Sequence, residues 1–322
     1  MKILYVSPNP TDALAFYRGT GPLSVMRKQY DVEFTIGDAV SWAQIKMHDL
    51  VYMQRPFNSQ HMQVVDMCKK WGTPMIADFD DWLYGLMNDN PAYHIYEQAK
   101  PVLEHVRATA KRISVSNPYM QGLYKQLGTE TTVIPNSYDS DMLTPADPED
   151  RNRVVLWRGG NSHMQDIFSV RSGFIRLIEE NPEWQFYFLN VQPWWLGRDY
   201  DNVKAFPGMG LMEYMDFIQK AKPAIMTHPL KDDPFNRSKS MCSWIEAGHA
   251  GAAFVGPDFE EFNRPGSVTY APDDGESFYN AIQGLINNPV NIIKNAKAIQ
   301  SEILGPLSTR VVNETRFKLF CE

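Results

Sequence analysis

The sequence predicts an α/β protein built from two parallel-sheet domains that face each other across a cleft. Three observations carry this. Short β-branched or aromatic runs alternate with helical stretches in the first half, a Pro- and charge-rich segment at 144–153 interrupts them, and the same alternation then restarts. The length of 322 residues agrees with two domains of ordinary size.

In the first half the strands are expected at 2–6, 32–36, 50–53, 74–77, 112–115 and 131–134, each ended by Pro, Asp, Asn or a polar run. Between them, 59–71 places Val64, Val65, Met67, Cys68 and Trp71 at helical spacing. After the linker, strands are expected at 154–157, 185–189, 223–227 and 252–255. Helices are expected near 166–180, 211–220, 240–250 and 277–285, and a helical tail at 292–319 is broken by Gly305 and Pro306. In such sheets ligands sit at the carboxyl ends of the strands, so the loops there are where chemistry is sought.

Composition narrows the class. With 43% hydrophobic and 21% charged residues the chain can bury two cores and is not a disordered one. Its longest apolar runs, such as 250–255, fall far short of the ~20 residues of a membrane span. The first six residues read as a strand rather than a signal-peptide core. Three cysteines, Cys68, Cys242 and Cys321, have no metal-binding spacing and suit a reduced cytoplasm. The net charge of −7 divides into 13 Lys/Arg against 18 Asp/Glu over residues 1–150 and 18 against 20 over the rest. Neither half is a basic body that coats nucleic acid through its phosphates, although a local basic groove is compatible with these totals.

The most informative segment is 233–251. With Ser238 as a helix cap, Lys239 falls in the first turn and Glu246 seven residues on, nearly on the same face and about 10.5 Å further along the axis. That matches the distance from the diphosphate to the ribose of a nucleotide. Lys239 and the helix N-terminus would hold phosphate, Glu246 would accept from ribose hydroxyls, and the small Ser243 would let the ligand lie flat. The plainer alternative is a surface helix with a solvated lysine and glutamate.

These residues resemble a known family. Phe235-Asn-Arg-Ser-Lys-Ser240, Trp244-Ile-Glu-Ala247 and Gly251-Ala-Ala-Phe-Val255 are similar to the donor-binding segment of GT-B glycosyltransferases, in particular the family-4-like, nucleotide-sugar-dependent enzymes of bacteria and tailed phages. The resemblance implies Lys239 and an arginine on the donor diphosphate and Glu246 on the ribose, with Arg237 and Arg158 both candidates for the arginine. The Glu that opens the family's E-x7-E pattern is absent here. Leu156-Trp-Arg-Gly-Gly-Asn-Ser-His163 extends the likeness, with Arg158 and the Gly159–Gly160 backbone toward phosphate and His163 on the donor side. Ile134-Pro-Asn-Ser-Tyr-Asp139 is similar to the end of the family's first domain. The resemblance further implies a first domain over 1–145 with a C-terminal helix at about 305–322 crossing back to it, and a donor domain over 152–304.

Asp78-Phe-Asp-Asp-Trp82 admits two functional readings. One is the metal-binding Asp-x-Asp of the GT-A fold. The other, preferred because two Rossmann halves favour GT-B, turns Asp78, Asp80 or Asp81 toward the transferred sugar or the acceptor and needs no metal, with Mn²⁺ or Mg²⁺ not expected. A simple N-cap is the structural alternative. Tyr17 and Arg18, in a long loop 8–22, and Arg55 after the third strand are expected on the acceptor side. Trp194 and Trp195 suit buried packing, or stacking on a base or sugar.

The expected activity is transfer of a sugar from a nucleoside diphosphate-sugar to an acceptor hydroxyl, with Arg158, Lys239 and the Asp78–Asp81 cluster as its catalytic groups, and the resemblance implies retention of configuration. The acceptor is a soluble glycan, a small molecule or a 5-hydroxymethylpyrimidine in phage DNA, and no membrane partner is expected. An NDP-sugar epimerase of the same fold and a non-catalytic nucleotide or sugar binder are the alternatives.

Overall fold

The computed structural model describes residues 1–37, 40–191 and 193–322, and of Asn161 the backbone alone. Two six-stranded sheets form it, and every strand pairing is parallel. The first comprises β1 (Lys2–Val6), β2 (Glu33–Gly37), β3 (Leu50–Gln54), β4 (Met75–Phe79), β5 (Arg112–Val115) and β6 (Thr132–Val133), in the order β2-β1-β3-β4-β5-β6. The second comprises β7 (Asn152–Arg158), β8 (Gln185–Leu189), β9 (Val203–Phe206), β10 (Pro223–Thr227), β11 (Ala253–Pro257) and β12 (Ser267–Tyr270), in the order β12-β11-β10-β7-β8-β9.

The alternation of side chains along each central strand feeds two cores. Along β1, Ile3 and Tyr5 enter one cluster while Leu4 and Val6 enter the other. Along β7, Val154 and Leu156 face one side and Val155 and Trp157 the other. Such strands read as continuous apolar runs, which is why they are legible in the sequence. The strands β9 and β12 have no counterpart among the expected ones. Both lie at sheet edges, are only half-buried and carry polar residues.

Strand order reverses between β1 and β3 in the first sheet and between β7 and β10 in the second, and such switch points open the crevice in which ligands bind. The chain after β1 is not the long loop expected at 8–22. It forms a short helix (Ala13–Ala15), a π-helical turn (Phe16–Thr20) and a helix (Gly21–Gln29). The turn lies so close to β1 that a Cβ on Gly19 would fall 2.0 Å from the Tyr5 ring. After the second sheet, helix Pro289–Leu304 ends at Gly305, and helix Thr309–Cys321 packs on Gly21–Gln29, where Val312, Leu319 and Phe320 join Ile3, Tyr5 and Tyr52 in one core.

The π-helical turn is fastened by a fully buried ion pair. Arg18 donates from Nε and Nη2 to the two oxygens of Asp78, at 2.9 and 2.6 Å, and from Nη1 to the Ile134 carbonyl and Asn136. Ser114 donates to the same carboxylate. Strand β4 runs two residues beyond its expected end, so Asp78 lies within the sheet rather than in the loop after it. Arg18 and Asp78 therefore face each other inside the first domain, not the cleft, and the acceptor-side and catalytic roles expected of them are corrected to a structural one. Removing one partner leaves a buried charge unpaired, so Arg18→Met and Asp78→Asn should each lose about 3–5 kcal/mol of stability in urea unfolding. A loss below about 1 kcal/mol would show that the pair does not hold this turn.

Candidate active site

The loops at both switch points meet in one cleft of about 730 Å³ between the domains. The first domain contributes the segment after β1, Arg55 after β3 and Asp80–Asp81 after β4. The second contributes the turn after β7, His228 after β10 and the start of helix Cys242–Ala250. Tyr17, Arg55, Asp80, Asp81, Arg158, Gly159, Gly160, His163, Lys239, Ser243 and Glu246 all line it.

Three of the expected placements need correction. Ser238 does not cap the helix that carries Glu246. Asp233 caps a separate turn, Pro234–Arg237, and the longer helix starts at Cys242, so Lys239 lies on the connection between them. The Ser238 hydroxyl instead accepts from the Trp82 N–H and donates to the Phe235 carbonyl. Arg237 points away from the cleft, pairing with Asp232 and stacking over Phe259. The two tryptophans divide: Trp195 is buried in the second core, whereas Trp194 is exposed and stacks on Phe168, outside the cleft.

Every cationic side chain named in the cleft has an acidic partner. Arg158, the last residue of β7, holds Glu246 bidentately, with Nε and Nη2 each 2.8 Å from a carboxylate oxygen. Lys239 Nζ lies 3.1 Å from Asp81 across the domain boundary. Arg55, in the left-handed region at φ 44°, donates to Asp80 at 2.8 Å and to Asp81 at 2.6 Å. A left-handed backbone is uncommon for arginine, and here its N–H donates to the Asp78 carbonyl at 2.8 Å. Burial, which alone would raise Asp81, is outweighed by Lys239 and Arg55, which keep it below the usual carboxylate range. For Asp80 burial wins over Arg55, and with Asp81 adding to the rise its value is pushed up to about 6.

Other groups present polar atoms without partners. His163 Nδ1 is 2.8 Å from Asp166, whose other oxygen accepts from Asn236 Nδ2 and the Lys231 N–H. His228, in edge contact with His163, is buried, and burial together with the nearby positive groups holds it well below the usual histidine value. Among the described residues its Nδ1 and the Ser243 hydroxyl are buried without a partner. A Cβ on Gly159 would strike Trp157 at 2.5 Å, so glycine is required there by the protein's own packing, while at Gly160 nothing lies nearer than 3.7 Å. Among the described residues no group of three or more His, Cys, Asp or Glu side chains is placed to hold a metal ion.

Sequence reasoning missed Asn190, the Pro207–Gly210 loop, Tyr214 and His228, all of which line the cleft. His228 directly follows a strand that was legible, so its position was available as a signal. The Pro-Gly-Met-Gly run follows β9, whose edge character hid it.

Neither a protein-family model nor a curated protein matches the chain. Solved structures match it over nearly its full length. Sucrose-phosphate synthase from Thermosynechococcus elongatus superposes with a TM-score of 0.74 at 11% identity, covering 99% of this chain and 98% of that one. Anabaena HepE in complex with UDP and glucose gives 0.70 at 14% identity, covering both chains fully. An α-glucosyltransferase in complex with UDP-glucose and DNA containing an abasic site gives 0.64 at 11% identity, covering 100% of this chain and 99% of that one. The protein therefore has the GT-B fold, two Rossmann-like α/β domains facing across a cleft.

The Asp80 carboxyl supplies a test of the cleft's electrostatics. Its value of about 6 in the folded protein lies above the ~3.9 of an unfolded aspartate. Folding therefore takes up a proton in the window between, and the stabilisation it brings is complete below about pH 4 and lost as pH rises through about 6. The melting temperature of the wild type relative to Asp80→Asn should fall across that window. A difference that does not change with pH would refute the shift.

Proposed function

We propose that the protein is a glycosyltransferase that moves a sugar from a nucleoside diphosphate-sugar to an acceptor hydroxyl. The observation that carries this reading is the convergence of Arg158, Lys239 and Glu246 on one interdomain cleft of nucleotide-sugar size. A diphosphate leaves as a polyanion while the sugar takes on oxocarbenium character, so fixed positive groups at the leaving oxygen lower the barrier. Arg158 and Lys239 are those groups, and with them the leaving group needs no metal. Glu246 takes the ribose hydroxyls, the Gly159–Gly160 backbone and His163 lie along the phosphates, and Ser243 leaves room for the ligand.

Asp80, Asp81, Arg55 and Tyr17 form the first domain's wall, where the transferred sugar and the acceptor meet. We place the transfer among the retaining, family-4-like reactions. The acceptor is a hydroxyl on a soluble glycan or on a 5-hydroxymethylpyrimidine in DNA. A base flipped from the stack needs only a pocket and a few phosphate contacts, which an acidic protein can offer. Of the similar structures, HepE with UDP and glucose supports the donor class and the α-glucosyltransferase with DNA supports the second acceptor.

Thermal shift against UDP, dTDP, ADP and GDP, each with EDTA and with Mn²⁺, tests the donor site. A ligand at 100 times its Kd adds about 2.7 kcal/mol, a rise of several degrees. One nucleotide class should stabilise the protein in EDTA, and Lys239→Ala should weaken that nucleotide about 10- to 100-fold by removing a charge-assisted hydrogen bond. No stabilisation by any of the four would defeat the reading. Release of the same nucleoside diphosphate from its sugar, dependent on hydroxymethylated DNA or on a glycan, then identifies the acceptor.

A further inference from the structure

Glu246 is already saturated. A carboxylate offers about four acceptor positions. Here Oε1 accepts from Arg158 Nη2 at 2.8 Å and from the Tyr17 hydroxyl at 3.4 Å, while Oε2 accepts from Arg158 Nε at 2.8 Å and from the Tyr214 hydroxyl at 3.1 Å. The side chain is 2% exposed. Arg158 has correspondingly committed two of its five donors to Glu246. In the proposed function both residues are needed by the same ligand, Arg158 by its phosphates and Glu246 by its ribose; Glu246 has no acceptor position left, and the two donors that fix the direction of Arg158 are held by it.

We infer that the Arg158–Glu246 pair makes the site selective for ligands that carry phosphate and ribose together, through a handover in which diphosphate takes Arg158 and thereby releases Glu246 to the ribose. The inference rests on the donor reading above and adds the coupling between its two halves. A nucleoside arriving alone must displace a donor from Glu246. If it displaces Arg158, it strands a guanidinium. If it displaces Tyr17 or Tyr214, it orphans a phenol that is itself buried. A diphosphate arriving alone takes Arg158 and leaves a buried carboxylate with the Tyr17 and Tyr214 hydroxyls but no positive partner. When both arrive, the pair is broken once and every group ends with a partner. Arg158 is suited to move, because its side chain is 31% exposed toward the cleft while Tyr17 and Tyr214 are enclosed. The unpartnered Ser243 hydroxyl, one turn before Glu246 on the same helix, gives the incoming ribose a second polar neighbour.

The breaking cost shared by two ligand fragments is a coupling free energy, and it is reciprocal. The test measures it in the wild-type protein by ligand-observed NMR titration of uridine, thymidine, adenosine and guanosine, each alone and with saturating inorganic diphosphate. For the nucleoside whose diphosphate binds, added diphosphate should tighten binding by about 10-fold or more, within the 5- to 150-fold typical of such couplings. Inorganic diphosphate should in turn bind more tightly in the presence of that nucleoside. In Arg158→Met the pair is gone beforehand, so the nucleoside should bind alone at least as well as to the wild type, and the diphosphate effect should vanish while the nucleoside diphosphate weakens. If the nucleoside diphosphate binds the wild type but the two fragments bind independently or compete, the handover is wrong and the donor site stands. If no nucleoside diphosphate binds at all, the donor reading and the handover fall together.

Discussion

The cleft depends on one loop of the second domain being fastened to the first. Phe235 enters the first domain's core, Asn117 donates to the Ser238 carbonyl, the Trp82 N–H donates to the Ser238 hydroxyl, and Asn136 donates to Ser240 and Cys242. Lys239 lies in the middle of these contacts, and the helix bearing Ser243 and Glu246 begins directly after them. The loop thus delivers the cleft-lining Lys239, Ser243 and Glu246 to the first domain's edge with their direction already set. Because Phe235 is apolar and its neighbours are bonded on both sides, the position of Lys239 follows from packing rather than from its charge. Arg18 and Asp78 act on the same junction from below, since Arg18 also bonds Asn136, which reaches the loop.

The electrostatics of the cleft follow from that arrangement. Arg55, Arg158 and Lys239 face Asp80, Asp81 and Glu246, three formal charges of each sign, connected by ion pairs at 3.1 Å or less. A pocket of three unpaired cations between two low-dielectric walls would be costly, and each carboxylate removes that cost. A polyanionic ligand then competes with carboxylates rather than with water. This favours ligands able to engage several cations at once over those able to engage one, and it gives Asp81 two partners that hold it ionised while its neighbour Asp80 is raised.

Much of this was legible in the sequence where burial leaves a pattern. The central strands, apolar on both faces, and the helix Ser59–Trp71, with its regular stripe, stand where the residues placed them. The half-buried edge strands β9 and β12 carry no such pattern, and with β9 the cleft loop 207–210 was lost as well. Residue type misled at Arg18, Asp78 and Arg237. A charged residue in a loop after a strand, at a strand end or inside a family-like segment reads as functional, yet two of these satisfy each other in the core and the third pairs with Asp232 on the surface. The error at Ser238 was one of register, since two helix caps compete within six residues and Asp233, followed by Pro at the first helical position, takes the earlier one.

The interdomain contacts of the cleft are made by side chains that line it, and this ties the domain arrangement to whatever binds there. Asp81 with Lys239 and Tyr17 with Glu246 each join a first-domain residue to a second-domain one. Displacing either partner toward a ligand removes a bond that holds the domains together, whereas a ligand touching both walls replaces it. A ligand that touches only one wall therefore costs an interdomain bond, and one that spans the cleft replaces it. Under the proposed transfer, an arrangement held by ligands on both walls would keep water from the donor.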